Sequence, residues 1–349
     1  PVLRQRVCMM KQYVLLLLSL VACAAVLCSA GCVTTEVPEG AVVINQTNGE
    51  VFSLDHTAER IVLMNSNAAE MLYVMGAADK VVGVSQSIAD HAELGPLFPN
   101  AVSVGKWDVP DIETISSLSP DVVIAFSTSK PLNADAIEAG GIPICYIDCY
   151  KPTTMAADVA ALGVLTGNTE KAEEFITFYT GVMNAVAAAT ANVSSPPSVY
   201  CEGYTDYSGQ AKGSGMDLLI EYAGGSNVLT QQMGATSPKV SPEWLIAEDP
   251  DVMIKILSVK NMETAADQYR TFTGRAGFSN LHAVTENRTY LLRNDIAYGP
   301  RTFAGAVAVA KMFYPAETAG LSVRDVLDEY NSRFGLNVSA GEVVYPAFA

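Results

Sequence analysis

From Glu59 onward, short apolar stretches alternate with longer segments that have helical periodicity. The first unit reads RIVLM, then NAAEMLYVMG, then KVVGVS. Further apolar stretches bounded by turn residues occupy 101–105, 121–126 and 142–148. Strands that alternate with helices in this way are typical of a parallel sheet covered by helices. The pattern therefore predicts an α/β lobe over residues 42–150.

Two helical segments follow this predicted lobe. The first covers 154–165, and the second begins at a cap at Asn168 or Thr169 and continues to about residue 192. A helix over 169–192 would be roughly 35 Å long, which is enough to run the length of a domain interface. Residues 151–195 are therefore predicted to form a helical connection to a second lobe, over residues 196–349.

The second predicted lobe repeats the pattern of the first. Two of its segments, DIETISSLSPDVVIAF in the first lobe and SPEWLIAEDPDVMIKI in the second, share a glutamate, six residues, Pro-Asp-Val, one residue and Ile. This match aligns Glu113 with Glu243 and Asp121 with Asp251. In each copy a short helix would lead into a buried strand, with Pro-Asp in the turn between them. The repeat indicates two lobes of similar fold.

The N-terminal segment has the features of a secretory signal. Basic residues precede an apolar stretch over 13–27, which is shorter than the roughly 20 residues that cross a bilayer, so cleavage is expected. Ser-Ala-Gly-Cys, ending at Cys32, resembles the lipobox of secreted lipoproteins, although Ser29 stands where the pattern usually has leucine. This resemblance implies a signal peptide over 1–32, a lipidated Cys32 and a tether over 33–41.

Composition narrows the class of protein further. The 349 residues are 50% hydrophobic and 17% charged, with a formal charge of -16, which excludes a disordered chain and makes nucleic acid an unsuitable partner. Beyond Cys32, the predicted mature chain has three cysteines, Cys145, Cys149 and Cys201. An odd remainder favours buried thiols over a disulfide framework, and pairing of Cys145 with Cys149 would need a turn between them.

The chain resembles the periplasmic-type binding proteins that serve ferric-siderophore, haem and cobalamin importers, over about residues 42–345. The segments that carry the resemblance are ERIVLMNSNAAEMLYVMGAADKVVGVS, VGKWDVPDIETISSLSPDVVIA, AGGSNVL, SPEWLIAEDPDVMI, and the late GPR followed by AKMFYP. It implies two three-layer α/β lobes with mainly parallel sheets, joined by one long backbone helix that 169–192 matches. The ligand is then expected in the cleft between the lobes. Independently, ligands of open α/β sheets bind beyond the carboxyl ends of the strands.

The same resemblance implies a partner, an ABC permease dimer with its ATPase. Glu113 and Glu243 match the two surface glutamates that, in this family, engage arginines of the two permease subunits. Exposed charges of this kind steer encounter more than they add affinity. The alternative is that each glutamate only stabilises the first turn of its helix. The implied protein is a monomer without a cofactor, held at the outer face of the cell membrane through its lipid anchor alone.

Candidate ligand-binding residues lie in the predicted loops that follow strands. Asn65, Ser66 and Asn67 precede a helix N-terminus, a place that favours anionic groups. Trp107 and Phe126 fall where related binders have ligand-stacking aromatic residues, although packing in the core would also explain them.

The candidates in the second lobe come from two loops, GYTDYSGQAKGSG and LRNDIAYGPR. Arg301 is the strongest of them, because its guanidinium could hold a carboxylate, a phosphate or an oxyanion. A structural arginine that bonds to backbone carbonyls is the alternative. The candidates are Tyr204, Tyr207, Lys212, Asp295, Tyr298 and Arg301.

Motifs for catalysis and for metal binding are missing from the sequence. There is no Gly-x-Ser-x-Gly, no phosphate-binding Gly-x-x-x-x-Gly-Lys and no His-Glu-x-x-His, and the three histidines lack metal-ligand spacing. We therefore predict a binding protein, not an enzyme, that captures an iron chelate (siderophore or haem) or cobalamin. The alternatives are a molybdate or tungstate binder of the same fold and a surface-attached chelatase or hydrolase that uses the cleft.

Overall fold

A computed structural model describes residues 40–230, 236–339 and 341–348. The predicted signal peptide, the proposed lipidation site Cys32 and nearly all of the tether lie outside these residues, so they stay predictions. Within the described ranges, none of the helices combines the length and the apolar character that crossing a membrane requires.

The strands form a short hairpin and two five-stranded sheets. The strands are β1 (Val42–Asn45), β2 (Val51–Leu54), β3 (Ile61–Leu63), β4 (Val81–Val84), β5 (Val102–Ser103), β6 (Val122–Ala125), β7 (Ile144–Tyr146), β8 (Ser198–Glu202), β9 (Ser226–Asn227), β10 (Val252–Leu257), β11 (Thr289–Arg293) and β12 (Val344–Tyr345).

Helices cover both sheets and connect them. The α-helices are α1 (Ser66–Val74), α2 (Gln86–Ala89), α3 (Ile112–Ser117), α4 (Ala134–Ala139), α5 (Met155–Thr166), α6 (Thr169–Ala189), α7 (Gly215–Tyr222), α8 (Pro242–Glu248), α9 (Ala265–Thr273), α10 (His282–Thr285), α11 (Asn294–Ala297), α12 (Thr302–Phe313) and α13 (Val323–Phe334). Short 3-10 helices occupy Ala78–Lys80, Gly95–Leu97, Val259–Thr264 and Phe278–Asn280.

The first sheet has the strand order β5-β4-β3-β6-β7, and all its strands are parallel. Both faces of β6 are buried, which is why its sequence is a continuous apolar run. From β3 the chain proceeds outward through β4 to β5, whereas β6 and β7 lie on the other side of β3. The order therefore reverses between β3 and β6, and ligands bind at the carboxyl ends of strands at such a point.

The second sheet has the order β12-β11-β10-β8-β9, parallel except for the edge strand β12. Here the order reverses between β8 and β10. Both sheets are thus mainly parallel with one reversal of strand order, which confirms the predicted α/β class with mainly parallel strands. The hairpin of β1 and β2 was not predicted; the side chain of Gln46 ties it to the first sheet by accepting a hydrogen bond from the Tyr146 amide at 2.6 Å.

The sequence repeat corresponds to a structural repeat around α3 and α8. Asp111 caps α3 by accepting from the Thr114 amide at 3.0 Å, and Ser241 caps α8 by accepting from the Trp244 amide at 3.1 Å. Each helix is followed by a residue in the left-handed region, Ser119 with φ 46° and Asp249 with φ 42°. Each then leads into a buried strand, as the repeated sequence predicts.

The aligned aspartates also have matching roles. Asp121 accepts hydrogen bonds from the amides of Glu59 and Arg60 at 2.7 and 2.8 Å, just before β3. Asp251 accepts from the amide and the hydroxyl of Ser198, at 2.7 and 2.9 Å, where β8 begins. Each carboxylate therefore satisfies the donors at the start of the neighbouring central strand, where the sheet has no partner for them.

The long helix α6 ends at Ala189, three residues before the predicted end. Thr190 leaves the helical conformation, and its hydroxyl donates to the carbonyl of Val186 at 3.1 Å. One face of α6 packs on α5, and its aromatic residues join a cluster contributed by α12 and α13. The rings of this cluster are Phe175, Phe178, Tyr179, Phe303, Tyr330 and Phe334.

Candidate ligand-binding cleft

A cavity of about 330 Å³ opens at the carboxyl ends of the first sheet's strands. Its lining residues follow β3, β4, β5, β6 and β7 in turn, so the reversal between β3 and β6 lies at its base. None of the described residues that line it is charged. They are Met64, Ser66, Ser87, Trp107, Phe126, Thr128, Ser129 and Tyr150. The cavity therefore offers aromatic faces and hydroxyl groups to a ligand.

The predicted aromatic residues of the first lobe both line this cavity. Trp107 is 38% exposed, a large fraction for an indole, and Phe126 is half-buried at the end of β6. Tyr150 joins them and was missed by the sequence prediction. It follows β7 in the same way that Phe126 follows β6, so the rule that favours carboxyl ends of strands could have found it.

Asn65 and Ser66, the first two polar residues after β3, have different environments. Asn65 is fully buried and acts as the cap of α1, because its Oδ1 accepts from the amides of Asn67 and Ala68 at 2.8 and 3.3 Å and its Nδ2 donates to the Ile147 carbonyl. Ser66 lines the cavity. The side chain of Asn65 is thus fully used in holding the loop, and its predicted contact with a ligand stays a prediction.

A buried aspartate positions the loop that carries Phe126. The carboxylate of Asp148 accepts hydrogen bonds from the amide and the hydroxyl of Ser127, both at 2.7 Å. The Asp148 carbonyl also accepts from the side-chain amide of Asn67 at 3.0 Å. Local sequence pattern could not predict this support, because Asp148 and its partners are far apart along the chain.

A second cavity, of about 160 Å³, lies between the two lobes and shares Ser66 with the first. Five predicted residues besides Ser66 line it, together with Glu70, His91, Leu94, Asn294 and Pro300, which were not predicted. The five are Asn67, Tyr204, Asp295, Tyr298 and Arg301. Residues from both lobes thus meet at one place, and this end of the cleft is polar and charged.

Arg301 lies at the base of this second cavity and is only 3% exposed. Its Nε donates to Glu70 at 2.9 Å, and its Nη1 donates to Glu93 at 2.9 Å and to Asp295 at 3.0 Å. Burial acts to lower the pKa of Arg301, but the nearby carboxylates outweigh it and raise that pKa above its ordinary value. The guanidinium is therefore charged and surrounded by carboxylates.

Three predicted residues line neither cavity: Asn65, whose side chain caps α1, Tyr207 and Lys212. Tyr207 has a positive φ of 59°, and its amide donates to Glu202 at 2.8 Å, so the loop turns inward at this point. Its ring stacks on the guanidinium of Arg275, 4.5 Å from the ring centroid. Lys212 is exposed on the surface. Their predicted roles in ligand binding receive no support from their positions.

The described residues offer no preformed metal site. No group of three or more histidine, cysteine, aspartate or glutamate side chains within the described ranges is arranged to hold a metal ion. Cys145, Cys149 and Cys201 are buried free thiols, as the odd cysteine number favoured.

Comparison with known proteins agrees with this architecture. The family profile described as periplasmic binding protein matches residues 61–296. The chain belongs to this family. Membership of the periplasmic binding proteins confirms the predicted resemblance, and it supports a binding protein over the chelatase and hydrolase alternatives.

Individual relatives share less than a third of their aligned residues with this chain. The cobalamin-binding protein of Halobacterium salinarum is 29% identical over 228 residues, which cover 61% of this chain and 58% of that protein. The match therefore spans less than two thirds of that relative. A Bacillus subtilis protein described as the uncharacterized ABC transporter substrate-binding lipoprotein YvrC is 24% identical over 285 residues, covering 78% of this chain and 86% of that protein.

A solved structure extends the comparison to the whole fold. The TroA-like periplasmic binding protein FepB from Veillonella parvula superimposes with a TM-score of 0.70 and 22% sequence identity, covering 85% of this chain and 97% of that one. At this identity the similarity establishes the fold alone, and it confirms the predicted α/β architecture.

Proposed function

We propose that this protein captures a metal chelate or corrinoid of the cobalamin, haem and siderophore class outside the cytoplasm and delivers it to an ABC permease. The observation that carries the proposal is the uncharged aromatic cavity at the carboxyl ends of the first sheet, which shares Ser66 with a second cavity lined by residues of both lobes. Cobalamin is the first ligand to test, because the Halobacterium salinarum relative is described as a cobalamin-binding protein.

The lining of the cavity suits a large ring system. Trp107, Phe126 and Tyr150 offer apolar ring faces with polar edges, and such faces pack well on flat conjugated groups. The volume of about 330 Å³ is at the lower end of the roughly 300–1,000 Å³ typical of small-molecule sites. A chelate of this class would therefore extend from the cavity across Ser66 into the polar end of the cleft.

Delivery to the permease rests on the repeated glutamates. Glu113 and Glu243 are both exposed, each in the first turn of its helix. A permease with two-fold symmetry would present one basic site to each lobe, so paired carboxylates would favour one docking orientation. The partners we propose are thus the ABC permease dimer and its ATPase.

The proposed location is the outer face of the cell membrane. A signal peptide over 1–32 would direct export, and lipidation at Cys32 would anchor a monomer through the tether over 33–41. The Bacillus subtilis relative is described as a lipoprotein, which supports this part of the proposal.

Calorimetric titration of the purified full-length chain tests the capture step. Cyanocobalamin, haemin and a ferric siderophore should be titrated separately, with the expectation that at least one binds with a micromolar or lower Kd, about -8 kcal/mol. Binding weaker than about 1 mM for all three would overturn the proposal. Catalytic turnover of any of them by the protein alone would favour the enzyme alternative.

A further inference from the structure

The polar end of the cleft contains more negative than positive groups. Glu70 and Glu93 come from the first lobe and Asp295 from the second, and all three bind Arg301 within 3.0 Å. Asp295 also accepts from Arg293, at 2.6 and 2.9 Å. Three carboxylates and two guanidinium groups give this cluster a formal net charge of -1.

Arg301 is already occupied as a hydrogen-bond donor on two sides. An arginine that receives oxyanions presents a free fork of N–H groups to them. Here the Nε and Nη1 donors are directed at carboxylates, and the side chain is almost completely buried. An entering anion would meet three like charges at short range, in surroundings where water screens them poorly.

We infer that Glu93 and Asp295 set the charge preference of the cleft: by neutralising Arg301 they exclude anionic groups and favour neutral or cationic hydrogen-bond donors, such as amides. This inference rests on the proposed function only in taking the cleft as the ligand site. It makes Glu93 and Asp295 determinants of specificity, and it argues against a molybdate or tungstate ligand. Within the proposed class, it argues against chelates that would place carboxylates, such as the propionates of haem, at this end of the cleft.

The three carboxylates differ in burial, and therefore in how well the fold should tolerate their substitution. Glu70 is almost completely buried and also accepts from the hydroxyl of Tyr330 at 2.8 Å, so it supports the packing between the lobes. The side chains of Glu93 and Asp295 are 28% and 17% exposed, at the edge of the cluster. Glutamine and asparagine would keep an oxygen acceptor for Arg301 while removing the charge.

The decisive experiment titrates inorganic molybdate into the full-length chain by calorimetry at low ionic strength. The wild type should bind it more weakly than about 1 mM, whereas the double variant Glu93→Gln/Asp295→Asn should bind it at least tenfold more tightly. A control variant, Glu317→Gln/Asp328→Asn, removes the same charge from exposed sites that line neither cavity and should behave like the wild type.

Two results would overturn the inference: micromolar molybdate binding by the wild type, or no gain in the double variant while it remains folded by thermal unfolding. If the double variant does not fold, Glu93→Gln alone decides, with a gain of at least threefold expected and no gain counting against the inference. Molybdate is titrated independently of the chelates. A failure of the proposed capture function therefore appears in the chelate titrations, and a failure of this inference in the molybdate titrations.

Discussion

Glu113 and Glu243 occupy the same position in two copies of one structural unit. Each lies two residues after a capping side chain, Asp111 in the first lobe and Ser241 in the second. Both glutamates are exposed, and each lies in the first turn of its helix. Their equivalence is a property of the fold, and it leads to the first prediction.

Reversing both charges should separate docking from capture. The double variant Glu113→Arg/Glu243→Arg should reduce uptake in cells, and association with the permease in vitro, at least tenfold, because like charges would then face each other across the interface. Ligand affinity measured by calorimetry should stay within twofold of the wild type. Glu317→Arg is the control for a charge change elsewhere, and a loss of ligand affinity in the double variant would contradict the assigned roles.

Truncating Trp107 should weaken ligand binding. Trp107→Ala removes an exposed indole from the uncharged cavity, and we expect the Kd to rise at least tenfold, about 1.4 kcal/mol. The chain has only two tryptophans, so Trp244→Phe is a natural control that leaves Trp107 as the single tryptophan. Ligand should change the fluorescence of Trp244→Phe. An unchanged affinity in Trp107→Ala would place the ligand elsewhere.

Gly299 should not tolerate a side chain. Its φ is +81°, and a Cβ there would lie 2.8 Å from Oδ1 of Asn67 on the other lobe. Gly299→Ala should therefore lower the free energy of unfolding in urea by about 1–3 kcal/mol. Gly76→Ala is the matched control, because Gly76 has a similar φ of +73° and a Cβ there meets nothing within 4 Å. Equal stability of the two variants would show that the contact between the lobes yields easily.

Asp158 should make stability depend on pH. Its carboxylate accepts from Thr47, Cys149 and Thr154 at 2.7, 3.0 and 3.1 Å, but burial outweighs these bonds and raises the pKa of Asp158 from 3.8 to about 6. Because the folded pKa is the higher one, this contribution is present at low pH and is lost as the pH rises through about 6. Between pH 5 and 7 it should remove about 1 kcal/mol of the free energy of unfolding.

The variant Asp158→Asn tests this dependence. Between pH 5 and 7, its free energy of unfolding should vary less with pH than that of the wild type, whatever its absolute stability. The reason is that asparagine does not titrate in this range. Urea unfolding at several pH values measures the slope. Asp55→Asn, at an exposed position, serves as the control, and a slope in Asp158→Asn equal to that of the wild type would rule out the assignment.

Local pattern was enough to predict most of the sheets and helices. Six strands lie within apolar stretches that are flanked by turn residues, so their limits follow from the sequence. They are β3, β4, β6, β8, β10 and β11. The hairpin of β1 and β2 could not be found in this way. A contact from Gln46 to Tyr146, distant in the chain, holds it in place.

The candidate site was only partly predictable for the same reason. Tyr204 and Tyr207 lie three residues apart in one loop, yet Tyr204 lines the cleft and Tyr207 packs on Arg275. The difference arises because Tyr207 has a positive φ and its amide donates a hydrogen bond to Glu202. Local sequence pattern reveals neither feature. The sequence could identify the loop as a source of cleft residues without distinguishing between the two rings.

The sequence by itself determined the α/β class, the repeat that aligns Glu113 with Glu243, and the loops that surround the cleft. These features depend on periodicity and on turn chemistry, which act between near neighbours in the chain. Only the tertiary structure decided that Arg301 is enclosed by Glu70 and Glu93. Those carboxylates belong to the other lobe, more than 200 residues away in the chain, and the charge that a ligand meets is the sum of groups that folding alone brings together.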